Sequence, residues 1–435
     1  MGIGTFVNES IRPAAVSVRR SRGAGGDLIL VAAVIALGIF GLLMLYSASP
    51  DYSLRTYNSA YYIFNKQLLF MLAGTLGAYI FYRIDYHLWR KLALPLMALT
   101  VVMLLAVLVI NDVRNNSART FFGGSVQPSE LAKLATIIYL SVWIYSKRDY
   151  LHDIQLGLIP LAVILGVIGG LIFRQPDLSA AVTVFILGGL LFFLAGGEIR
   201  QIILFCVVAA IVGYIVVAFS ATGKSRIGPY LAGLKDPLKS SDHVLWSLES
   251  MFKGGWFGVG IGNATTKLIG LPYAATDSIF AVIVEELGLV GAIGLTGLYA
   301  VLAWRGLKIA SQAPDSLGML LAAGLTFWII IEAFINMSVM VGLLPFAGNA
   351  LPFVSAGGSN LLSTLAAVGI LLNISRQAGQ PAPSRTGTGT TSSRAGTGAT
   401  PNKEGRKTYS ASIDLRRRDR RRSISRARRP ANHEK

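Results

Sequence analysis

Stretches of apolar residues, each about as long as a bilayer is thick, recur along the chain as far as residue 376. A helix of about 20 residues crosses a hydrocarbon core about 30 Å thick, and the stretches are close to that length. The pattern predicts an all-α polytopic membrane protein with about ten transmembrane helices. The stretches are 28–47, 67–82, 92–110, 128–145, 156–173, 178–195, 202–219, 278–304, 317–341 and 356–374.

The fifth and sixth stretches are separated only by the short polar segment 174–177, so nine spans is the alternative count. No short apolar run with a small-residue cleavage site opens the chain, and we expect the first span to act as an uncleaved signal anchor. The pattern divides the chain into a basic N-terminal tail (1–26), a membrane domain (27–376) and a C-terminal tail (377–435).

Lysine and arginine are concentrated in alternate short loops, and loops enriched in this way face the cytoplasm. Both tails are therefore predicted to be cytoplasmic. A large loop of about residues 220–277, between helices 7 and 8, is predicted to lie outside. The basic residues of the predicted cytoplasmic segments are Arg12, Arg19, Arg20, Arg22, Arg83, Arg90, Lys91, Lys147, Arg148, Arg200, Arg305 and Lys308.

Composition agrees with a membrane protein, because only 14% of the residues are charged and the mean hydropathy is +0.56. Soluble domains keep roughly 25% charged residues, which excludes that class. Much of the net charge of +18 lies in the tail 377–435, which is rich in Gly, Ser, Thr and Pro and is predicted to be disordered. We expect this tail to bind anionic lipids at the cytoplasmic leaflet. Without interleaved aromatic residues or a folded module, it is not expected to bind nucleic acid.

Cysteine and histidine offer little metal chemistry. Cys206 is the only cysteine, and the four histidines are scattered, so no metal site is predicted from them. The glycines of segment 254–263 vaguely resemble those of a dinucleotide-binding loop, but no βαβ unit surrounds them. We therefore do not interpret that segment as a nucleotide site.

Several ionisable residues lie where a bilayer makes them costly, which marks each as a functional hypothesis. Glu130 and Lys133 are three residues apart at the start of the fourth stretch, so they lie on one helix face within pairing distance. They form either a structural ion pair or a cavity-lining pair beside an anionic substrate. Asp177, which follows Gln175 and Pro176, is predicted to cap the sixth helix.

Asp277 lies where the outer loop meets the eighth stretch, and Glu285 and Glu286 follow about 12–13 Å deeper along the helix. That separation excludes a two-carboxylate glycosidase pair. Further along, segment 344–359 contains two prolines and a Gly-Gly pair, which indicates irregular backbone that a bilayer tolerates only around a cavity or inside protein. Gly358 and Ser359, at the start of the last helix, could offer backbone N–H groups to an anion.

Together these segments resemble the SEDS family of peptidoglycan glycosyltransferases (FtsW, RodA and SpoVE) over roughly residues 28–376. The similar motifs are QPSELAK at 127–133, QPDL at 175–178, KGGWFGVGIGN at 253–263, TDSIFA at 276–281, EELG at 285–288 and LPFVSAGGS at 351–359. The resemblance implies ten membrane helices in the bacterial inner membrane. It also implies polymerisation of lipid II with a class B penicillin-binding protein, a transpeptidase, as partner, among other divisome or elongasome proteins.

The resemblance also implies roles for individual residues. Asp277 matches the family's proposed catalytic aspartate and would act as base in an inverting transfer that forms a β-1,4 linkage and releases undecaprenyl pyrophosphate. Either cationic side chains or a divalent cation, Mg²⁺ or Mn²⁺, would stabilise the leaving group. The expected substrate-binding residues are Arg119, Glu130, Lys133, Gln175, Asp177, Lys267, Ser355 and Ser359.

The chain departs from the family pattern at several positions. Thr120 and Phe121 follow Arg119 where Trp-Ile is usual, Ala356 replaces a tyrosine, and Glu332 stands where a neutral residue is common. The motifs favour an FtsW-like role in division over a RodA-like role in elongation. A lipid II flippase or transporter, and a non-enzymatic scaffold for a transpeptidase, remain the alternative functions. Polymer synthesis from supplied lipid II by the purified protein separates the enzyme from a flippase. An inactive Asp277→Asn variant that still assembles the complex would argue against the scaffold.

Overall fold

The structure is a computed structural model that describes residues 26–111 and 127–378. Arg119 and nearly all residues of the two predicted tails lie outside these ranges. The described residues form fourteen α-helices and no strand. The helices are α1 Leu28–Ala48, α2 Pro50–Tyr57, α3 Tyr62–Arg83, α4 Trp89–Asn111, α5 Pro128–Lys147, α6 Ile159–Arg174, α7 Leu178–Leu194, α8 Ile199–Phe219, α9 Ala221–Lys235, α10 Asp242–Gly254, α11 Thr266–Ile269, α12 Ile279–Ser311, α13 Ser316–Met340 and α14 Gly358–Ala378.

Each of the ten predicted stretches falls on one of these helices, which confirms an all-α polytopic fold. Within the described ranges, eight helical segments are long and apolar enough to cross a membrane. The 17-residue α7 and the charged α5 fall outside that group, so the count of ten spans stays a prediction. Three short helices, α9 to α11, lie in the segment between α8 and α12.

The helices differ sharply in how much of their surface other helices cover. Of the most apolar 18-residue stretch of α14, 78% is buried within the protein, whereas the corresponding share in α8 is only 6%. Helix α14 packs along α3, and α13 lies against α5, α7 and α12. Helices α13 and α14 therefore form the centre, and the exposed apolar side chains of α3 and α8 face the surroundings, as suits a bilayer.

Helix α12 is broken near its beginning, at Gly288, where φ is 67° and ψ is −166°. The interrupted backbone is paired by the glycine-rich segment that follows α10. Val259 N–H donates to Glu285 O at 2.9 Å, and Leu289 N–H donates to Gly255 O at 2.9 Å. The polar groups freed by the break are thus satisfied inside the protein, as membrane-embedded backbone requires.

Replacing Gly288 with alanine should destabilise the fold, because its backbone conformation is essentially restricted to glycine and costs another residue about 1–3 kcal/mol. The added Cβ would also lie 2.5 Å from Gly258 N, so the paired segment would have to move. We expect a lower thermal unfolding midpoint for the purified protein in detergent.

Gly294→Ala is the matched control in the same helix, since a Cβ there meets nothing within 4 Å. Alanine favours a helix over glycine by up to about 1 kcal/mol, so this variant should be at least as stable as the parent. Equal midpoints for the two variants would contradict the role assigned to the break.

Candidate functional site

Asp277 is half-buried at the last position but one before α12. Its peptide is held from α13, where the Asn336 amide donates to Asp277 O at 2.8 Å and to Asn349 O at 2.5 Å. The carboxylate lies against the segment that follows α13, because a Cβ built on Gly348 would be 3.4 Å from Asp277 Oδ2. Asn336 is itself 1% exposed, so this support is rigid.

The segment before α14 is hydrogen-bonded to the two residues that precede Asp277, Ala275 and Thr276. Ser355 Oγ donates to Thr276 O at 2.6 Å and accepts from Leu351 N at 2.7 Å. Ala356 N–H donates to Ala275 O at 2.9 Å. Ser355 is expected from the resemblance to bind substrate. In the structure it joins the segment before α14 to the segment before α12, which contains Asp277.

Helix α3 completes this junction. Gln67 is 4% exposed, donates through Nε2 to Ser355 O at 3.0 Å and accepts from Gly357 N at 3.3 Å. A cavity of about 360 Å³ opens beside the junction, which is within the size range of ligand sites. Residues from α2, α3, 267–276 and 356–358 line it, including Arg55, Lys66, Lys267, Thr276 and Gly358.

Glu130 and Lys133 lie in a buried cluster and not on the wall of this cavity. Lys133 Nζ donates to Glu130 Oε1 at 2.8 Å and forms a close ion pair with Glu332. Trp328 Nε1 donates to Glu332 at 2.8 Å, and Asn360 Nδ2 donates to both carboxylates at 2.9 and 3.1 Å. The structure thus shows an ion pair that joins α5, α13 and α14.

Asp177 caps α7 as predicted, since its Oδ1 accepts from Ala180 N at 3.2 Å. Its second oxygen accepts from Ser129 Oγ at 2.8 Å and from Gln127 Nε2 at 2.9 Å. Asp177 is only 4% exposed. Its bonds to Ser129 and Gln127 tie α7 to the start of α5.

Gln175 and Ser359 are also buried. Gln175 Nε2 donates to Leu104 O at 3.0 Å, which fixes the turn between α6 and α7 to α4. Ser359 Oγ accepts from Gln127 N at 2.8 Å, at the entrance of α5. Neither residue lines the cavity described above.

Lys267 does line the cavity, but its ammonium group is already well coordinated. Nζ lies 2.6 Å from Glu286 Oε1 and donates to Ser47 Oγ, Ser47 O and Gly262 O at 2.9, 3.0 and 3.3 Å. Ser47 Oγ donates in turn to Glu286 Oε1 at 2.6 Å. This cluster fixes the segment after α10 to α1 and α12.

Glu285 holds the same segment one residue earlier. It accepts from Thr265 N at 2.8 Å and from Thr266 N at 3.3 Å, and it is also bonded to the Thr266 hydroxyl group. Glu285 is 1% exposed. The two carboxylates predicted to lie deep in the eighth stretch thus anchor the loop that leads to Asp277.

His243 is a neighbour of the site that sequence reasoning passed over as one of four scattered histidines. Its ring stacks on Phe346 with centroids 3.9 Å apart, and Nδ1 lies 3.5 Å from Ser278 Oγ. Burial lowers the pKa of the His243 imidazole, while the charge of Asp242 acts in the opposite direction. The His243 ring is therefore uncharged at neutral pH. It lies beside Ser278, the residue that follows Asp277.

No three His, Cys, Asp or Glu side chains come close enough to hold a metal ion in residues 26–111 and 127–378. Arg119 lies outside the described ranges. Of the other residues expected at the site, Lys267 alone reaches the cavity wall, and Asp277 adjoins it through Thr276.

A sequence model for a family described as cell cycle protein, comprising FtsW, RodA and SpoVE, matches residues 27–380. A probable peptidoglycan glycosyltransferase FtsW from Trichlorobacter lovleyi is 39% identical over 353 residues, which are 80% of this chain and 93% of the relative. Stage V sporulation protein E from Bacillus subtilis is 36% identical over 356 residues, 80% and 97% of the two chains.

Solved structures share the fold. A chain from work on structural coordination of polymerization and crosslinking by a peptidoglycan synthase complex is similar with a TM-score of 0.67 at 26% identity, covering 81% of this chain and 98% of that one. Rod shape determining protein RodA from Thermus thermophilus gives a TM-score of 0.58 at 26% identity, covering 82% and 98%. Both likenesses extend over almost the whole of the proteins matched.

The buried cluster around Lys133 has two carboxylates for one ammonium group, which predicts an unequal response to neutral substitutions. Lys133→Met leaves Glu130 and Glu332 facing each other without a counter-ion. Removing one partner from such a pair costs about 3–5 kcal/mol of unfolding free energy. We expect a large fall in the thermal unfolding midpoint in detergent.

Glu332→Gln is the contrasting variant, because it leaves Lys133 paired with Glu130, and the amide oxygen can still accept from Trp328. We expect its midpoint to stay much closer to that of the parent protein. If Glu332→Gln were as damaging as Lys133→Met, the cluster would depend on something other than charge balance.

Proposed function

The chain belongs to the FtsW/RodA/SpoVE family of cell cycle proteins, and we infer from this that it is a peptidoglycan glycosyltransferase that polymerises lipid II. Relatives at 36–39% identity are named probable peptidoglycan glycosyltransferase FtsW. The observation that best supports a catalytic role is the placement of Asp277, whose peptide is fixed from α13 and whose neighbour Thr276 lines the cavity.

In the proposed reaction, Asp277 accepts the proton from the 4-hydroxyl group of the acceptor sugar. The hydroxyl oxygen forms a bond to the anomeric carbon of the donor sugar as the bond from that carbon to the pyrophosphate oxygen breaks. Attack from the face opposite the leaving group inverts the configuration and gives a β-1,4 linkage. A positioned base of this kind contributes about 10²–10⁴-fold to the rate.

Rigid support of the base is the contribution of the surrounding backbone. Asn336 holds Asp277 O, while Ser355 holds Thr276 O. Both donors are buried, so Asp277 would meet the acceptor hydroxyl group in a defined position rather than searching for it. Asn336 and Ser355 are therefore positioning residues in this proposal.

We further propose that the protein lies in the bacterial inner membrane, with both tails in the cytoplasm and segment 220–277 outside, where lipid II is presented. The likeness to a chain of a peptidoglycan synthase complex supports a transpeptidase as partner. A class B penicillin-binding protein is the partner we propose. The FtsW-named relatives favour a role in division.

Asp277→Asn keeps the size and polarity of the side chain but removes the basic charge, so polymerisation should fall about 10²–10⁴-fold. The assay is the initial rate of glycan synthesis from lipid II by the purified protein with its cognate transpeptidase, with and without a chelator. The thermal unfolding midpoint should stay near that of the parent.

Asp236→Asn serves as control, because Asp236 lies in the same outer segment but outside the cavity lining. It should polymerise at close to the parent rate. Near-normal turnover by Asp277→Asn would show that another group is the base. Absence of polymer from the parent protein would reject the enzymatic function itself.

The proposed orientation predicts different labelling of two engineered cysteines. After Cys206 is replaced, a cysteine at Ser240 should react with a membrane-impermeant thiol reagent in intact cells. A cysteine at Ser384 should react only after the cells are permeabilised. Labelling of intact cells at Ser384 would overturn the cytoplasmic assignment of the C-terminal tail.

A further inference from the structure

The short segment from Tyr273 to Ser278, which carries Asp277, forms a tight turn. The N–H groups of Thr276 and Ser278 both donate to Tyr273 O, at 3.0 and 3.2 Å. Tyr273 has a φ of 52°, in the left-handed region that residues other than glycine rarely adopt. A strained backbone of this kind persists only where neighbouring groups hold it in place. The position of Asp277 therefore depends on what packs against this turn.

His243, in the first turn of α10, contacts the 273–278 turn at both of its ends. Its ring lies parallel to that of Tyr273, with centroids 5.8 Å apart and an angle of 6° between the planes. Its Nδ1 lies 3.5 Å from Ser278 Oγ, which is a long hydrogen bond. Catalytic hydrogen bonds are often long in a free enzyme and tighten when the substrate is bound. One side chain thus spans the turn that carries Asp277.

The His243 ring also reaches the segment that faces the Asp277 carboxylate. It stacks on Phe346, which follows α13, with centroids 3.9 Å apart. A Cβ built on Gly348 would lie 3.4 Å from Asp277 Oδ2 and 3.9 Å from Phe346 Cε1, so the carboxylate and the Phe346 ring adjoin the same small space. His243 therefore contacts both the turn that bears Asp277 and the segment against which its carboxylate lies.

Helix α10 gives His243 a fixed support. Ser247 Oγ donates to Met340 O at the end of α13 at 2.8 Å, and Ser250 Oγ lies 2.7 Å from the Thr266 hydroxyl group. Ser247 and Ser250 are both fully buried. A side chain in the first turn of this helix therefore acts on the 273–278 turn from a rigid base.

The two contacts of His243 differ in what they require of the side chain. Ser278 is fully buried, and within the described parts of the chain His243 Nδ1 is the hydrogen-bonding partner of its hydroxyl group. Buried hydroxyl groups in proteins are nearly always hydrogen-bonded. Phenylalanine at 243 would keep the stack but leave Ser278 Oγ without this partner. Asparagine would keep a polar group near the place of Nδ1 but lose the stack.

We propose that His243 is a positioning residue for Asp277, which it holds through Ser278 Oγ and through its stack with Tyr273 and Phe346. The proposal rests on the inferred glycosyltransferase activity with Asp277 as the base. His243 does not line the cavity, so its effect on the reaction passes through the 273–278 turn. Even a shift of about 1 Å in a reacting group can slow a reaction about 10²-fold.

The kinetic test compares two variants whose effects should be opposite. His243→Phe should lower kcat roughly tenfold, the value of about one hydrogen bond. Its KM for lipid II should stay within about twofold, because the cavity wall is unchanged. Its thermal unfolding midpoint in detergent should stay near that of the parent. His243→Asn should keep kcat within about threefold of the parent, since it can still bond to Ser278, but should lower the midpoint because the stack is lost.

Ser278→Ala removes the other partner of the same hydrogen bond. It should lower kcat as much as His243→Phe does, and the double variant should be no slower than either single one. Glu249→Gln is the control on α10, because its exposed side chain pairs only with Lys253, and it should match the parent. Parent-like kcat in His243→Phe, additive losses in the double variant, or losses of kcat that follow the midpoint across the series would overturn the proposal.

Hydrogen–deuterium exchange tests the same geometry without turnover. His243→Ala removes both contacts, so the amides of Thr276 and Ser278 should exchange about tenfold faster than in the parent. Exchange in α13 should stay unchanged. Equal protection of the 273–278 turn in the parent and in His243→Ala would overturn the proposal. If the parent makes no polymer, the inferred activity fails, and the exchange measurement still decides whether His243 holds this turn.

Discussion

The bilayer interior contains no water to hydrate charges or unpaired peptide groups, so this fold must satisfy them from within. Lys133 meets two carboxylates, Lys267 meets Glu286, and the break in α12 at Gly288 is paired by the segment 255–260. Each solution joins helices or loops distant in the sequence. The requirement that makes polar residues costly here is therefore also what joins the helices around the candidate site.

Asp277 gains its position from this scaffold through backbone contacts. Asn336 is one helical turn beyond Glu332 on α13, and Asn349 Nδ2 donates to Glu332 O at 3.0 Å. The buried cluster at Lys133 and the support of Asp277 are therefore parts of one hydrogen-bonded region. The peptide carbonyl of Asp277 is thus held from α13 by a buried side chain.

Sequence reasoning was reliable where a feature depends on local pattern. Apolar length predicted the helices, the position of Asp177 before Leu178 predicted a cap, and three-residue spacing predicted the contact of Glu130 with Lys133. It could not provide Glu332 as the second partner, which lies 199 residues from Lys133. Sequence reasoning also could not predict the cavity, because no regular spacing in the sequence relates α2 and α3 to segment 271–276. Such contacts are set by how helices pack.

The distribution of charge around the cavity bears on which cation would hold a leaving diphosphate. Lys267 is expected there from the family resemblance, but its ammonium group is 2.6 Å from Glu286, a carboxylate that is fully buried. If Lys267 moved to a phosphate, Glu286 would be left without a counter-ion, and an uncompensated buried charge is strongly unfavourable. Lys267 therefore contributes best as the residue that keeps the outer segment in place.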